Sequence, residues 1–293
     1  ALLESGDIPA ALEEAREPAA LNPGIAVAAM ALGEALLRAG ALPAAIAELQ
    51  RALRLDPQLA QARFLIACAW LEAGEAEKAL EIFGDLDASP QIEDLVVRAR
   101  AIGQAPRSDA GYVRHLFDQF SADYDSRMIG QLAYAAPQIL RDLADLVMPG
   151  RERLAILDLG CGTGLAGAMF KSLTTRLDGI DLSPAMIDKA RGRAIYHSLL
   201  VGDIETANMG KYDLVLAADT LVYLGDLGPV FRTVAGLLSP DGYFLFTTEA
   251  KEGGGFELGP KRRWRHSEGY LREAGAAARL AVAGLVAATP RRE

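Results

Sequence analysis

Three aspartates, Asp158, Asp181 and Asp203, each close a short apolar run, and they are the residues best placed to do chemistry in this sequence of 293 residues. An ionised carboxylate only accepts hydrogen bonds, so three of them at successive strand ends fit a ligand that presents donors. Between the first two, Gly160, Gly162 and Gly164 alternate through Asp158-Leu-Gly-Cys-Gly-Thr-Gly164. Such a turn takes a strand tightly into a helix and has no side chains to hold a ligand off the backbone. Together these features predict a small cofactor that carries a nucleoside. Asp158 suits a cationic amino group. Asp181, in Gly179-Ile-Asp181, follows the turn by roughly 20 residues, the spacing at which an acid accepts both ribose hydroxyls. Asp203, in Leu199-Leu-Val-Gly-Asp203-Ile204, suits the exocyclic amine of adenine, with Ile204 packing on the ring.

Two other readings of the turn stay open. Gly162-Thr-Gly164-Leu-Ala-Gly167 also satisfies the dinucleotide pattern GxGxxG. Asp158 would then sit near a pyrophosphate, where negative charge is unwelcome, and the Asp203 segment would have no task. A plain tight turn without a ligand makes three carboxylates at three strand ends a coincidence.

The elements that must position these groups are legible as alternation. Apolar runs at 154–158, 177–181, 198–201, 212–217 and 243–248 read as strands separated by helices, which predicts an open, mostly parallel sheet with helices on both faces. Ligands bind beyond the carboxyl ends of such strands, where Asp158, Asp181, Asp203 and Asp219 all fall.

On these motifs, residues 112–293 resemble a class I S-adenosylmethionine-dependent methyltransferase with its Rossmann-like fold. DLGCGTG (158–164) resembles the family's first motif, GIDLSPAM (179–186) its ribose motif and GDIE (202–205) its adenine motif. YDLVLAADTLVYL (212–224) resembles the fourth strand with the loop facing the acceptor, and SPDGYFLFTTE (239–249) the fifth strand. The resemblance implies S-adenosylmethionine as cofactor and S-adenosylhomocysteine as product, held by Asp158, Gly160, Cys161, Gly162 and Gly164, by Asp181, Leu182 and Met186, and by Asp203, Ile204 and Ala218. It also implies that Phe117-Asp-Gln-Phe-Ser-Ala-Asp-Tyr-Asp125, similar to a segment that closes over the cofactor in small-molecule methyltransferases, places Tyr124 near the sulfonium. Phe117 and Phe120, at helical spacing with Tyr124, read as packing. The family usually ends in an antiparallel strand pair, for which Arg279–Ala287 is the visible candidate.

Methyl transfer is an in-line displacement, so positioning and exclusion of water come first, and a base is needed only when the acceptor must lose a proton. Asp219 is the first candidate base; its bland alternative is the N-cap of a helix starting at Thr220. His266, in a segment read as a loop, is the second. The basic run Lys261-Arg-Arg-Trp-Arg265 offers an acidic acceptor a counter-charge or is simply solvated. Cys161 reads as a small residue beside the cofactor rather than a nucleophile, and Tyr223 and Glu249 lie toward the acceptor side or serve packing.

The N-terminal third repeats. Gly6, Gly40 and Gly74 stand 34 residues apart, as do Ala11, Ala45 and Ala79, and Pro23 and Pro57. That period, with Leu32-Gly33, Leu36, Leu49 and Ala52 in place, resembles the tetratricopeptide repeat. It implies an all-α repeat domain over 1–100, one half repeat followed by two full ones, with Val27, Met30, Glu34, Arg38, Gln61, Phe64, Cys68 and Glu72 lining its groove. Residues 101–111 read as a linker to a methyltransferase domain over 112–293.

Residues 1–105 hold 16 acids against 8 bases in a chain of net charge −9. Acidity of this kind disfavours nucleic acid and favours basic or neutral partners. The groove serves assembly, as packing on the enzyme domain or on a second copy in a homodimer, or it recruits a protein or peptide to be methylated. A scaffold that binds cofactor without turnover is a third reading. The acceptor favoured for the enzyme is a small metabolite. Two cysteines in different segments and three scattered histidines predict neither a disulfide framework nor a metal site. With no apolar run near the roughly 18 residues a membrane span needs, a cytoplasmic location is expected.

Overall fold

The computed structural model describes residues 8–121, 123–259 and 262–290; Gly6 and Lys261 of the sequence reading lie outside them. The chain divides between Ala105 and Pro106.

The first unit is helical: α1 (Ile8–Leu21), α2 (Ala26–Arg38), α3 (Leu42–Leu55), α4 (Ala60–Glu72), α5 (Ala76–Gly84) and α6 (Pro90–Gln104). The periodic small residues are the contact points. Ala11, Ala45 and Ala79 are buried, and a side chain on Gly33 would meet Leu49 Cγ at 2.7 Å, so α2 and α3 approach as closely as glycine allows. Gly40 and Gly74 both take positive φ, +73° and +71°. Each is followed by the same turn: Ala41 N donates to Leu36 O at 2.9 Å, and Glu75 N to Trp70 O at 2.8 Å. This is a left-handed helix terminus that glycine adopts without strain. Of the expected groove positions, Val27 is exposed while Phe64 packs against Phe83. The expected linker is shorter than 101–111, because α6 continues through Gln104, and the next helix, α7 (Ala110–Phe120), starts at a cap where Asp109 accepts from Tyr112 N at 3.0 Å.

In the second unit α7 is followed by α8 (Ala136–Val147), and then strands alternate with helices. These are β1 (Leu154–Leu159), α9 (Leu165–Phe170), β2 (Thr174–Asp181), α10 (Pro184–Gly192), β3 (Ser198–Val201), β4 (Tyr212–Ala217), α11 (Gly228–Leu237) and β5 (Leu238–Phe246). All five strands run parallel in the order β3-β2-β1-β4-β5. The central strands β1 and β4 are apolar on both faces because both are covered. Leu157, Leu159 and Val215 pack with Phe231 and Val234 of α11, whereas Ile156, Leu214 and Leu216 pack with Phe170 of α9 and Leu140 of α8. The order reverses between β1 and β4, which opens a crevice at their carboxyl ends.

Two expectations are corrected. β5 begins at Leu238 rather than 243, since Leu238 pairs with Tyr212 before an irregularity that resumes at Tyr243 opposite Leu214; Asp241 within it takes φ +60°. Arg279–Ala287 forms no strand, and Val282, Leu285 and Val286 stay exposed there, with no ladder partner to bury them. A small sheet follows β5 that the sequence reading did not foresee: β6 (Glu249–Ala250), β7 (Phe256–Leu258) and β8 (Trp264–His266) in the order β6-β8-β7, followed by α12 (Glu268–Ala277). No helix among the described residues is long and apolar enough to cross a membrane.

Candidate functional site

A cleft opens at the β1/β4 crevice. Of the residues singled out in sequence, Gly160, Gly162, Asp181, Leu182, Asp203, Ile204, Ala218, Asp219 and Tyr124 line it; Asp158, Cys161, Gly164, Met186 and His266 do not.

The glycine turn explains part of that division. Gly160, Gly162 and Gly164 all have positive φ, +66°, +53° and +91°, so the backbone alone calls for glycine at each. Their surroundings differ. A side chain on Gly160 would strike Thr220 at 2.4 Å, and one on Gly164 would strike Tyr196 at 2.9 Å. Only Gly162 of the three has nothing within 4 Å and faces open space. Gly167 and Gly179 also yield to Tyr196, whose hydroxyl lies 2.3 Å from where a side chain on Gly167 would begin.

Tyr196 fills the space behind the turn and donates its hydroxyl to Asp158 Oδ2 at 2.7 Å, beside Gly167 N at 3.0 Å. Asp158 is therefore buried away from the cleft, and its Oδ1 has no hydrogen-bond partner. Burial raises its pKa to about 6 against the two hydrogen bonds, with Asp181 adding to the rise. Asp158 thus does not line the cleft: an aromatic ring some forty residues along the chain covers it. Cys161 points the same way, into packing with Ile187 and Ala190, and burial pushes its thiol up. Met186 is fully buried in α10 and lines nothing.

Asp181 reaches the cleft from the end of β2. Its Oδ2 accepts from Gly162 N and its Oδ1 from Ser183 N, each at 2.8 Å. Burial raises its pKa while these backbone donors oppose the rise. Asp203, after β3, accepts from Glu205 N at 3.0 Å and from Arg107 Nη2 at 2.8 Å.

The wall opposite the sheet comes from α7 and the loop after it. Val113, Phe117 and Tyr124 line the cleft, with Phe117 edge-on to Tyr124 at 6.2 Å and to Tyr223 at 5.5 Å between ring centroids. Phe117 is thus a cleft residue as well as a packing one. Phe120 is exposed under the Arg127 guanidinium, because the helix turns that position outward. Two acids of the same segment tie it to the cofactor loops. Asp118 accepts from Ser183 Oγ, and Asp125 accepts from Thr163 Oγ1 and from Arg193.

At the β4 end, Asp219 takes φ +59° and its N–H donates to Thr247 Oγ1 at 2.7 Å. Its carboxylate pairs with Arg263, which also reaches Glu249. The turn at Leu221–Tyr223 has no side-chain cap, so Asp219 spends its carboxylate on the guanidinium and not as an N-cap. Burial works against the charge on Arg263, but Asp219, Tyr223 and Glu249 outweigh it and its pKa rises. His266 sits on β8, not in a loop. Its Nδ1 meets Thr248 Oγ1, its Nε2 lies 3.0 Å from Gly225 O, and its ring stacks on Tyr270. Burial holds its pKa below the ordinary value. Both nitrogens are engaged inside the fold and the ring lies outside the cleft.

Sequence reasoning missed Arg107, Asp118, Asp125, Arg193 and Tyr196 as parts or supports of this site, and had Arg263 only as a member of a basic run. Asp125, the last residue of the Phe117–Asp125 motif, was visible; that it binds Thr163 across 38 residues was not.

Residues 156–242 match the methyltransferase domain family. A malonyl-[acyl-carrier protein] O-methyltransferase of Acetivibrio thermocellus is 34% identical over 137 residues, covering 45% of this chain and 47% of that protein. The human methyltransferase-like protein 27 is 31% identical over 131 residues, covering 43% and 53%. The chain spans about half the length of the curated relatives it matches. Among solved structures, the magnesium protoporphyrin IX methyltransferase of Synechocystis with bound S-adenosylmethionine aligns at 19% identity and a TM-score of 0.47, covering 58% of this chain and 86% of that one. Over residues 156–242 the chain is thus similar to methyltransferase domains.

Proposed function

We propose that this protein transfers a methyl group from S-adenosylmethionine to a small acceptor bound beside the β4 end of the cleft. The observation that carries this reading is Gly162, a positive-φ glycine facing open space in the one cleft where Asp181, Asp203 and the Phe117/Tyr124 wall converge. The cofactor fits that cradle. Gly160 and Gly162 would approach its amino-acid portion, Asp181 would accept from the ribose hydroxyls, and Asp203 with Ile204 would hold the adenine. When bound it supplies an activated methyl on a sulfonium.

The chain's own residues orient and enclose. Phe117, Tyr124 and Tyr223 form an apolar wall that excludes water, and Asp118 and Asp125 clamp that wall to the loops. Asp219 lines the acceptor end with its carboxylate turned to Arg263, so it orients more readily than it takes a proton. The names of relatives acting on malonyl-[acyl-carrier protein] and in ubiquinone biosynthesis support oxygen of a small molecule as acceptor.

The helical unit is proposed to be a tetratricopeptide array serving assembly or recruitment. What supports it is the same glycine turn at Gly40 and Gly74 and the burial of Ala45 and Ala79 at the 34-residue period. Calorimetric titration of the full chain with S-adenosylmethionine and S-adenosylhomocysteine tests the reading. Stoichiometric binding of both supports it, and a folded sample that binds neither refutes it.

A further inference from the structure

Arg107 lies outside the motifs read from the sequence, yet it lines the cleft with Asp203. Its backbone is held on both sides. Pro106 O accepts from Gly225 N and Asp226 N at 2.8 Å each, Ser108 N donates to Tyr223 O at 2.8 Å, and Arg107 itself bridges antiparallel to Leu224. The guanidinium donates to Asp203 Oδ2 at 2.8 Å and to Glu205. The two carboxylates lie two positions apart and are mostly buried, with side chains 25% and 13% exposed. Like charges this close need a cation, and a neutral nucleobase does not provide one.

The pairing also decides which way Asp203 faces. Its Oδ1 accepts from Glu205 N and its Oδ2 from Arg107, so both oxygens are pinned and the lone pairs that remain can only accept. A ring amine meets an acceptor there; a ring carbonyl meets like charge.

We infer that Arg107 is a positioning residue of the nucleobase subsite, orienting Asp203 so that the cleft selects a 6-amino purine over a 6-oxo purine. This rests on the proposed binding of S-adenosylmethionine. It assigns to the peptide entering the second unit a part in cofactor selectivity.

The test is calorimetry on the full-length chain with S-adenosylhomocysteine and its deaminated analogue S-inosylhomocysteine, for the parent, Arg107→Ala and Arg107→Lys. The parent is expected to prefer the amino form by about a hundredfold. Arg107→Ala is expected to lose about tenfold in affinity for the amino form and to narrow the preference by a similar factor, with Arg107→Lys between, as a charge without the bidentate fork. If Arg107→Ala does not fold, Arg107→Lys is expected to narrow the preference in the same direction by a smaller factor. A loss shared equally by both analogues would mean that Arg107 merely supports the loop, and would overturn the inference. A parent that binds neither analogue overturns the cofactor reading itself and the inference with it.

Discussion

Replacing Asp158 with Asn probes the center of the glycine turn. The carboxyl is 1% exposed, accepts from Tyr196 and Gly167 through one oxygen, and has the other oxygen without a partner. Burial raises its pKa from 3.8 to about 6. The sign follows from which state keeps the proton. Below about pH 4 both the folded and unfolded chains are protonated and the group costs nothing. As pH rises from there to about 6 the unfolded chain ionises first, so stability falls with rising pH, and above 6 the whole cost is present. At about 1.4 kcal/mol per pH unit the gap amounts to about 3 kcal/mol. Asparagine keeps a carbonyl acceptor for Tyr196 and Gly167 and carries no charge. The stability of Asp158→Asn relative to the parent is therefore expected to grow by about 3 kcal/mol between roughly pH 4 and pH 7, on top of a pH-independent offset from its amide hydrogens. Urea unfolding followed by Trp264 fluorescence, in a Trp70→Phe background so that the helical unit is silent, reads this directly. Parallel pH profiles for the two proteins would refute the reasoning, since Asp158 would then ionise as an exposed carboxylate does. A slope that disappears when S-adenosylhomocysteine is added would restore Asp158 to the amino group of the cofactor.

Gly162→Val is expected to abolish S-adenosylhomocysteine binding while costing only about 1–2 kcal/mol in stability, because the side chain enters open cleft and its main penalty is the positive φ; equal affinity by calorimetry would place the cofactor elsewhere. Gly167→Ala should instead unfold the second unit more easily, by about 1–3 kcal/mol in urea, since its methyl meets the Tyr196 hydroxyl. Asp219→Asn should lower kcat by less than about tenfold once an acceptor is known; a loss of a hundredfold or more would assign it the role of general base. Asp125→Ala releases Thr163 and Arg193 from the closing segment, and is expected to raise KM for S-adenosylmethionine about tenfold with the melting temperature little changed, an outcome that steady-state kinetics and thermal unfolding check together.

The strands and their carboxyl ends were legible because they are local. A run such as Leu154–Leu159 is apolar at both phases since helices cover both faces of the sheet, and the acid that follows a run marks its carboxyl end. Positive φ is local as well, so the glycine turn and the repeated termini at Gly40 and Gly74 could be read from residue type and spacing. Phe120 and the 279–287 strand misled for the same reason: helical spacing does not say which face is covered, and an apolar stretch becomes a strand only if a neighbour is there to pair with it.

By itself, then, the sequence determined the alternating sheet, the placement of Asp181, Asp203 and Asp219 at its ligand-binding edge, and the periodic contacts of the helical unit, all of which depend on backbone preference and on periodicity along the chain. Tertiary structure alone decided which carboxylates face the cleft. Tyr196 reaches back across 38 residues to take Asp158 out of it, Arg107 crosses 96 residues to pin Asp203, and Arg263 crosses 44 to pair with Asp219. Each is a choice made by side-chain packing and by the need of a desolvated charge for a partner, and neither leaves a pattern in neighbouring residues.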